Sequence, residues 1–255
     1  MRKFFLSGLC GILLLGNFFI DQPSFAAVDF DGVDDRITIT SHADFDGTTG
    51  TVCFWLNADA FGDLDSVMSR HSSTSSFSGI HFFVEFSNIN FQIKDASGSV
   101  FYKNFGTLVN TGEWHHYCAV FVPSGSTART YKDGVQTQAA TVSAAWSFGA
   151  NDIIIGDSID TYWDEADGKI SEVYWFADEL TAVEVEILAK SKVKGIGKQF
   201  DNLKMYLPLD DRPDGTSADL DTASDASGNS HPGNPDNGAN NTGLTWSAEA
   251  VLSYP

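Results

Sequence analysis

The chain is 255 residues long and carries 34 acidic against 15 basic side chains, a net charge of −19. Such a balance repels nucleic acid and anionic membrane surfaces. It suits solubility in a salty exterior and leaves individual acidic loops able to hold a cation.

The first residues have the three parts of an export signal. Arg2 and Lys3 precede an apolar run over residues 4–20, and Ser24-Phe25-Ala26 offers small residues for cleavage. The run is broken by Ser7, Gly8, Gly16 and Asn17, and it falls short of the roughly 20 apolar residues that span a bilayer. Residues 1–26 are therefore predicted to be a secretion signal, and residues 27–255 a single domain of a protein that is secreted, extracellular or at the cell surface, and not membrane-spanning. Removal of the signal takes Cys10 with it and leaves Cys53 and Cys118. In an oxidising compartment these two should pair, the alternative being two buried thiols.

After the signal, short runs rich in Val, Ile, Phe, Tyr and Thr alternate with Gly, Asp, Asn and Ser clusters. That pattern predicts strands over 36–40, 51–57, 80–86, 90–94, 100–104, 114–122, 128–132, 152–155, 169–176 and 203–209, an all-β antiparallel sandwich. The exception is Thr181-Ala182-Val183-Glu184, a capping box opening one short helix that runs through Lys190 with Val183, Ile187 and Leu188 as its apolar face. Residues 28–190 are read as the main sandwich. Residues 191–255 are read as a linker, a long Asp/Asn/Gly/Ser/Pro-rich loop over 210–243, and a closing strand whose Leu244 and Trp246 need burial.

Five strings, taken together and in order, resemble the laminin G-like and pentraxin-like branch of the concanavalin A-like lectin/glucanase superfamily. They are Phe30-Asp31-Gly32-Val33-Asp34-Asp35, Gly112-Glu113-Trp114-His115-His116, Tyr131-Lys132-Asp133-Gly134, Ile155-Gly156-Asp157 and Gly168-Lys169-Ile170-Ser171-Glu172-Val173. The resemblance implies a two-sheet jelly roll and, from pentraxin-like members, a disulfide between strands placed like those of Cys53 and Cys118. Leu203-Lys204-Met205-Tyr206-Leu207 and Gly243-Leu244-Thr245-Trp246 resemble the segment with which such domains usually begin, which implies a circularly permuted order or completion of a neighbouring molecule by strand exchange.

Glucan-cleaving members of the superfamily carry Glu-x-Asp-x-Glu on one strand, aiming three carboxylates at the scissile bond. The nearest match here, Glu165-Ala166-Asp167-Gly168-Lys169, lacks the third acid, so the chain is predicted not to be an enzyme. His115 and His116, adjacent on a strand, point to opposite faces and are assigned to structure. Calcium is the expected cofactor, because it takes carboxylate and carbonyl oxygens from loops. One candidate group is Asp31, Asp34 and Asp35, and another is Asp157, Asp160, Asp164, Glu165 and Asp167. Asp31, Asp34, Asp157, Asp160 and Asp167 are the leading ligands, Asp160 matching an acidic position of pentraxin-like relatives; the alternative is that these are solvated turn aspartates. Tyr162 and Trp163 are the candidate sugar platform, since a pyranose offers apolar C–H faces. The functional expectation is a non-catalytic, lectin-like binding module for a glycan or an extracellular protein surface. The alternatives are a self-associating structural subunit that exchanges its terminal strand, and a glycan-cleaving enzyme.

Overall fold

The computed structural model describes residues 24–251 except 61, 73–77, 96–97, 109–110, 192, 212–214, 216–221 and 237–243. The body of the export signal lies outside the described residues. Its last part does not: Ser24, Phe25 and Ala26 open strand β1 (Ser24–Asp31).

Two eight-stranded sheets face each other. The first runs β10 (Val135–Thr141), β9 (Thr127–Lys132), β8 (Trp114–Phe121), β3 (Gly50–Ala60), β13 (Asp167–Phe176), β1, β16 (Thr245–Val251), with β14 (Leu203–Leu207) also on β13. The second runs β15 (Gly233–Asp236), β2 (Arg36–Ile39), β11 (Ile153–Ile155), β4 (Asp65–His71), β5 (Gly79–Glu85), β6 (Asn88–Asp95), β7 (Gly98–Leu108), with β12 (Asp164–Glu165) beside β4. Pairing is antiparallel everywhere except between the two-residue β12 and β4. The jelly-roll sandwich read from the sequence is the fold observed.

The first sheet is covered on both faces. Its inner face presents Phe54 and Tyr117 to Phe82 and Phe105 of the second sheet, within the shared core. Its outer face is capped by helix α1 (Ala182–Lys190) and the 3-10 turn Ile196–Gln199, where Gly197 sits directly on the Tyr174 ring. This is why residues 52–56 of β3 and 173–176 of β13 are unbroken apolar runs rather than alternating ones. The capping box of Thr181 and Glu184 is present, but the helix buries Val185, Leu188 and Ala189 and leaves Val183 and Ile187 exposed. The apolar stripe is thus 185/188/189, one i, i+3, i+4 set along from the expected one.

Within that covered layer, Cys53 and Cys118 stand directly opposite on β3 and β8 and form a disulfide across 65 positions. Reduction should lower stability by roughly 2–4 kcal/mol, read as an earlier urea midpoint, with any change of slope reporting a more expanded unfolded chain. Equal midpoints for oxidised and reduced, alkylated protein would count against it.

The C-terminal strands belong to the same sandwich. β14 and β1 lie along one edge of β13, β14 opposite Val173–Phe176 and β1 opposite Asp167–Ile170. β16 then pairs with β1, Trp246 facing Val28. Glu172 fastens this corner: its carboxylate accepts from Tyr206 Oη at 2.6 Å, Tyr174 Oη at 2.7 Å and Gly195 N at 3.2 Å. Burial raises the pKa of Glu172 against these donors.

Candidate functional site

The candidate aromatic residues Tyr162 and Trp163 lie on the outer face of the second sheet. Strand alternation and register lay out its rows. Ser69, His81, Gln92 and Tyr102 line up across β4, β5, β6 and β7, and Ser66, Phe83, Asn90 and Asn104 form the next row. Phe82, Phe91 and Phe101 point the other way, into the core.

The loop between β11 and β12 folds over β5. Asp157 anchors it: its carbonyl accepts from Ser66 Oγ at 2.9 Å and Ser69 Oγ at 3.1 Å, and its carboxylate meets Arg36 at 3.4 Å. His71 Nε2 holds Ser158 Oγ at 2.9 Å, and Asp160 Oδ1 accepts from Tyr162 N at 3.0 Å. Trp163 is thereby laid on His81 and Phe83, with ring centroids at 4.6 and 4.5 Å. Tyr162 stands edge-on to Trp163 at 5.4 Å and is 64% exposed. Across β5, Tyr102 packs on Phe83 at 5.7 Å, and its hydroxyl donates to Glu85. Burial holds the pKa of both His71 and His81 down, so these rings are neutral supports at pH 7. The result is an aromatic ridge of Tyr162, Trp163 and Tyr102 beside the amides of Gln92 and Asn104.

The candidate metal ligands divide in two. Asp31 and Asp34 come together with Asp35, each giving an oxygen within 4.8 Å of the others. Asp167 faces Asp31 in the β1–β13 register and lines an adjoining acidic cleft of about 290 Å³ with Asp65, Asp164 and Glu165. Gly32 makes this convergence possible: it has φ +72°, and a Cβ there would lie 2.8 Å from Asp167 Cβ. Burial raises the pKa of Asp65, Glu165 and Asp167. Asp157 and Asp160 are not in this group; they are spent on the aromatic loop.

Asp35, the third acid of the expected Asp31/Asp34/Asp35 turn, is the most constrained of the group. It has no exposed surface, and its Oδ2 accepts from Asp31 N at 2.8 Å. Its Oδ1 is buried without a hydrogen bond of good geometry, although the backbone of Leu244 also acts on the carboxyl; a hard cation would satisfy that oxygen. Burial, aided by the charges of Asp31 and Asp34, pushes its pKa up to about 7.

His115 and His116 serve structure, as expected. His115 Nδ1 meets Asp133 Oδ2 at 2.8 Å, while His116 is enclosed against Trp55 with its pKa lowered to about 4 by burial.

The sandwich and its one open aromatic face define a lectin-like jelly roll. The chain belongs to the Laminin_G_3 family of the concanavalin A-like lectin/glucanases superfamily, whose model matches residues 31–186. No curated protein matches it in sequence. A protein from Bacteroides ovatus, provisionally assigned as carbohydrate binding, superposes with a TM-score of 0.63 at 14% identity over 88% of this chain. This chain spans 60% of that protein's length. The CBM40 of Ruminococcus gnavus IT-sialidase, bound to α2,3 sialyllactose, gives 0.52 at 9% identity over 64% of this chain and 96% of its own. Domain 4 of a GH43 extracellular arabinanase from Geobacillus stearothermophilus, in complex with arabinotriose, gives 0.51 at 16% identity over 64% and 76%. At these identities the likeness is one of fold. Among the described residues, no helix is long and apolar enough to cross a membrane.

Proposed function

We propose that this protein is a secreted, non-catalytic lectin-like module that binds a glycan on the outer face of the second sheet. The observation that carries the reading is the ridge of Tyr162, Trp163 and Tyr102, two of them substantially exposed, set beside a row of amide side chains. Aromatic faces take the C–H side of a pyranose, and amides take its hydroxyls. Carbohydrate-binding relatives of the fold support the ligand class, and the disulfide suits an extracellular location.

A calcium ion on Asp31, Asp34 and Asp35 is part of this proposal. It would supply positive charge to a turn that otherwise concentrates carboxylates, joining β1 to β2 and steadying the neighbouring cleft. In this reading the acids of the cleft are ligands and electrostatic neighbours rather than a hydrolytic pair.

A glycan array with and without calcium tests the function. Tyr162→Ala and Tyr102→Ala should each weaken binding of any hit about tenfold, equivalent to about 1.4 kcal/mol. Both replace exposed rings, so thermal melts should change little. No hit on the array, equal affinity in both variants, or turnover of the bound glycan would overturn the proposal.

A further inference from the structure

A second cluster lies away from the aromatic face, at the end of β2. After Ile39 the chain turns through the 3-10 segment Ala43–Phe45, whose N-cap is His42. Its Nδ1 accepts from Asp44 N at 3.2 Å and lies 3.2 Å from Asp44 Oδ2. β15 pairs with β2, Gly233 opposite Ile39, and so delivers His231 to the same spot. His231 Nε2 is 2.8 Å from Asp44 Oδ2, a contact between positions 187 apart in sequence.

The three side chains are arranged like a ligand set. One atom from each of His42, Asp44 and His231 lies within 4.8 Å of the other two. An ion with bonds of about 2.0–2.2 Å in tetrahedral geometry keeps its ligand atoms about 3.3–3.6 Å apart. The pairs around Asp44 Oδ2 stand at 3.2 and 2.8 Å, so the ion would replace the shorter, hydrogen-bonded contact and spread the three atoms by a few tenths of an ångström or more. His231 is only 7% exposed, its ring held between His42 at 4.5 Å and Phe45 at 4.7 Å, and its backbone N–H donates to Asp225 at 2.8 Å. His42 and Asp44 are partly open to solvent. One side of the cluster is thus fixed, and the other leaves room for water or a further donor.

We propose that His42, Asp44 and His231 bind a divalent transition-metal ion of the zinc class. Two imidazole nitrogens with one carboxylate favour such an ion over calcium, which prefers an all-oxygen shell. Lys204 Nζ, 4.0 Å from the other Asp44 oxygen, is the competing cation; it sits on a long side chain that can turn aside. Occupied, the site ties the segment leading into β15 to the end of β2.

The test uses the whole mature chain, stripped with chelator and then titrated with cobalt(II) and zinc(II). One equivalent of cobalt should give a visible d–d spectrum, zinc should abolish it, and zinc should raise the melting temperature. His42→Ala should weaken binding at least about tenfold, and a melting temperature of the metal-free variant close to that of the metal-free wild type checks that loss of the N-cap has not unfolded the site. His115→Ala, beside Glu113 and Asp133 on another strand, should leave it unchanged. Calcium in excess should not displace cobalt. No spectrum and no retained zinc in the wild type, equal binding in His42→Ala, or displacement by calcium would each overturn the assignment.

Discussion

A chain shortened to residues 27–200 is expected to aggregate, or to populate no folded monomer, at temperatures where residues 27–255 are stable. The missing part supplies Met205, Leu207, Leu209, Leu244 and Trp246, all without exposed surface, and Tyr206 at 2%. Burying one such side chain stabilises by roughly 1.5–3 kcal/mol, so together they match the 5–15 kcal/mol or so by which a whole domain is stable. The deletion also opens three strands to unwanted pairing: the end of β13 where β14 lies, the outer edge of β1, and the edge of β2. Light scattering and thermal unfolding of the two forms measure this. A peptide of residues 201–255 added to the short form should restore folding. A soluble, monomeric short form melting within about a degree or two of the longer one would contradict the burial argument.

The second large effect is expected from pH and calcium acting on one carboxyl. Asp35 has its pKa raised from 3.8 to about 7 in the folded protein, chiefly by burial. The native state therefore holds its proton more tightly than the unfolded state does. The associated stability is fully present below about pH 4 and is lost as pH rises through about 7. The shift is worth up to about 4 kcal/mol. In the calcium site proposed above, the ion would compete with that proton for the same carboxylate, so its stabilising effect should grow over the same interval. Urea unfolding from pH 4 to 8, with calcium or with chelator, measures both. Asp35→Asn should remove this part of the pH dependence together with the response to calcium. If the variant keeps the wild-type profile, or if calcium shifts neither form, Asp35 is not the site of the linkage.

The fold was legible wherever burial followed a simple period. Strands β3, β5, β6, β8 and β13 stand out in the sequence because they fill the core on one or both faces. β4 did not, since Ser66, Ser69, Arg70 and His71 are polar yet buried: the aromatic loop and the Arg70 contacts to Phe45, Asp46 and Asn151 satisfy them. β10 was hidden for the opposite reason, being an edge strand with polar, mostly exposed residues. The helix was placed correctly by its capping box, but its buried stripe depends on where Gly197 and Gly134 let it approach, which periodicity over nine residues cannot decide.

The candidate site was legible in part. Tyr162 and Trp163 stood out as aromatics in an acidic loop, and Asp31 and Asp34 as a carboxylate turn. Tyr102 was missed, although its alternation with Phe101 on β7 would have marked it as facing outward. Asp35 belonged to the same turn, but nothing local says that it is the one turned inward. His42, Asp44 and His231 could not be joined from sequence, since the pairing of β15 with β2 is what brings them together.

The disulfide lies between sheet and helix, and neither Cys53 nor Cys118 has any accessible surface. A thiol reagent can attack only after that cover has lifted, so the rate of reduction becomes a clock for opening. At low reagent the rate should scale with reagent and report how often the layer stands open; at high reagent it should level off at the opening rate itself. A bond that ties two strands of the closed face thus doubles as a built-in reporter of its breathing. It does so without a label and without disturbing the aromatic ridge on the opposite side of the sandwich.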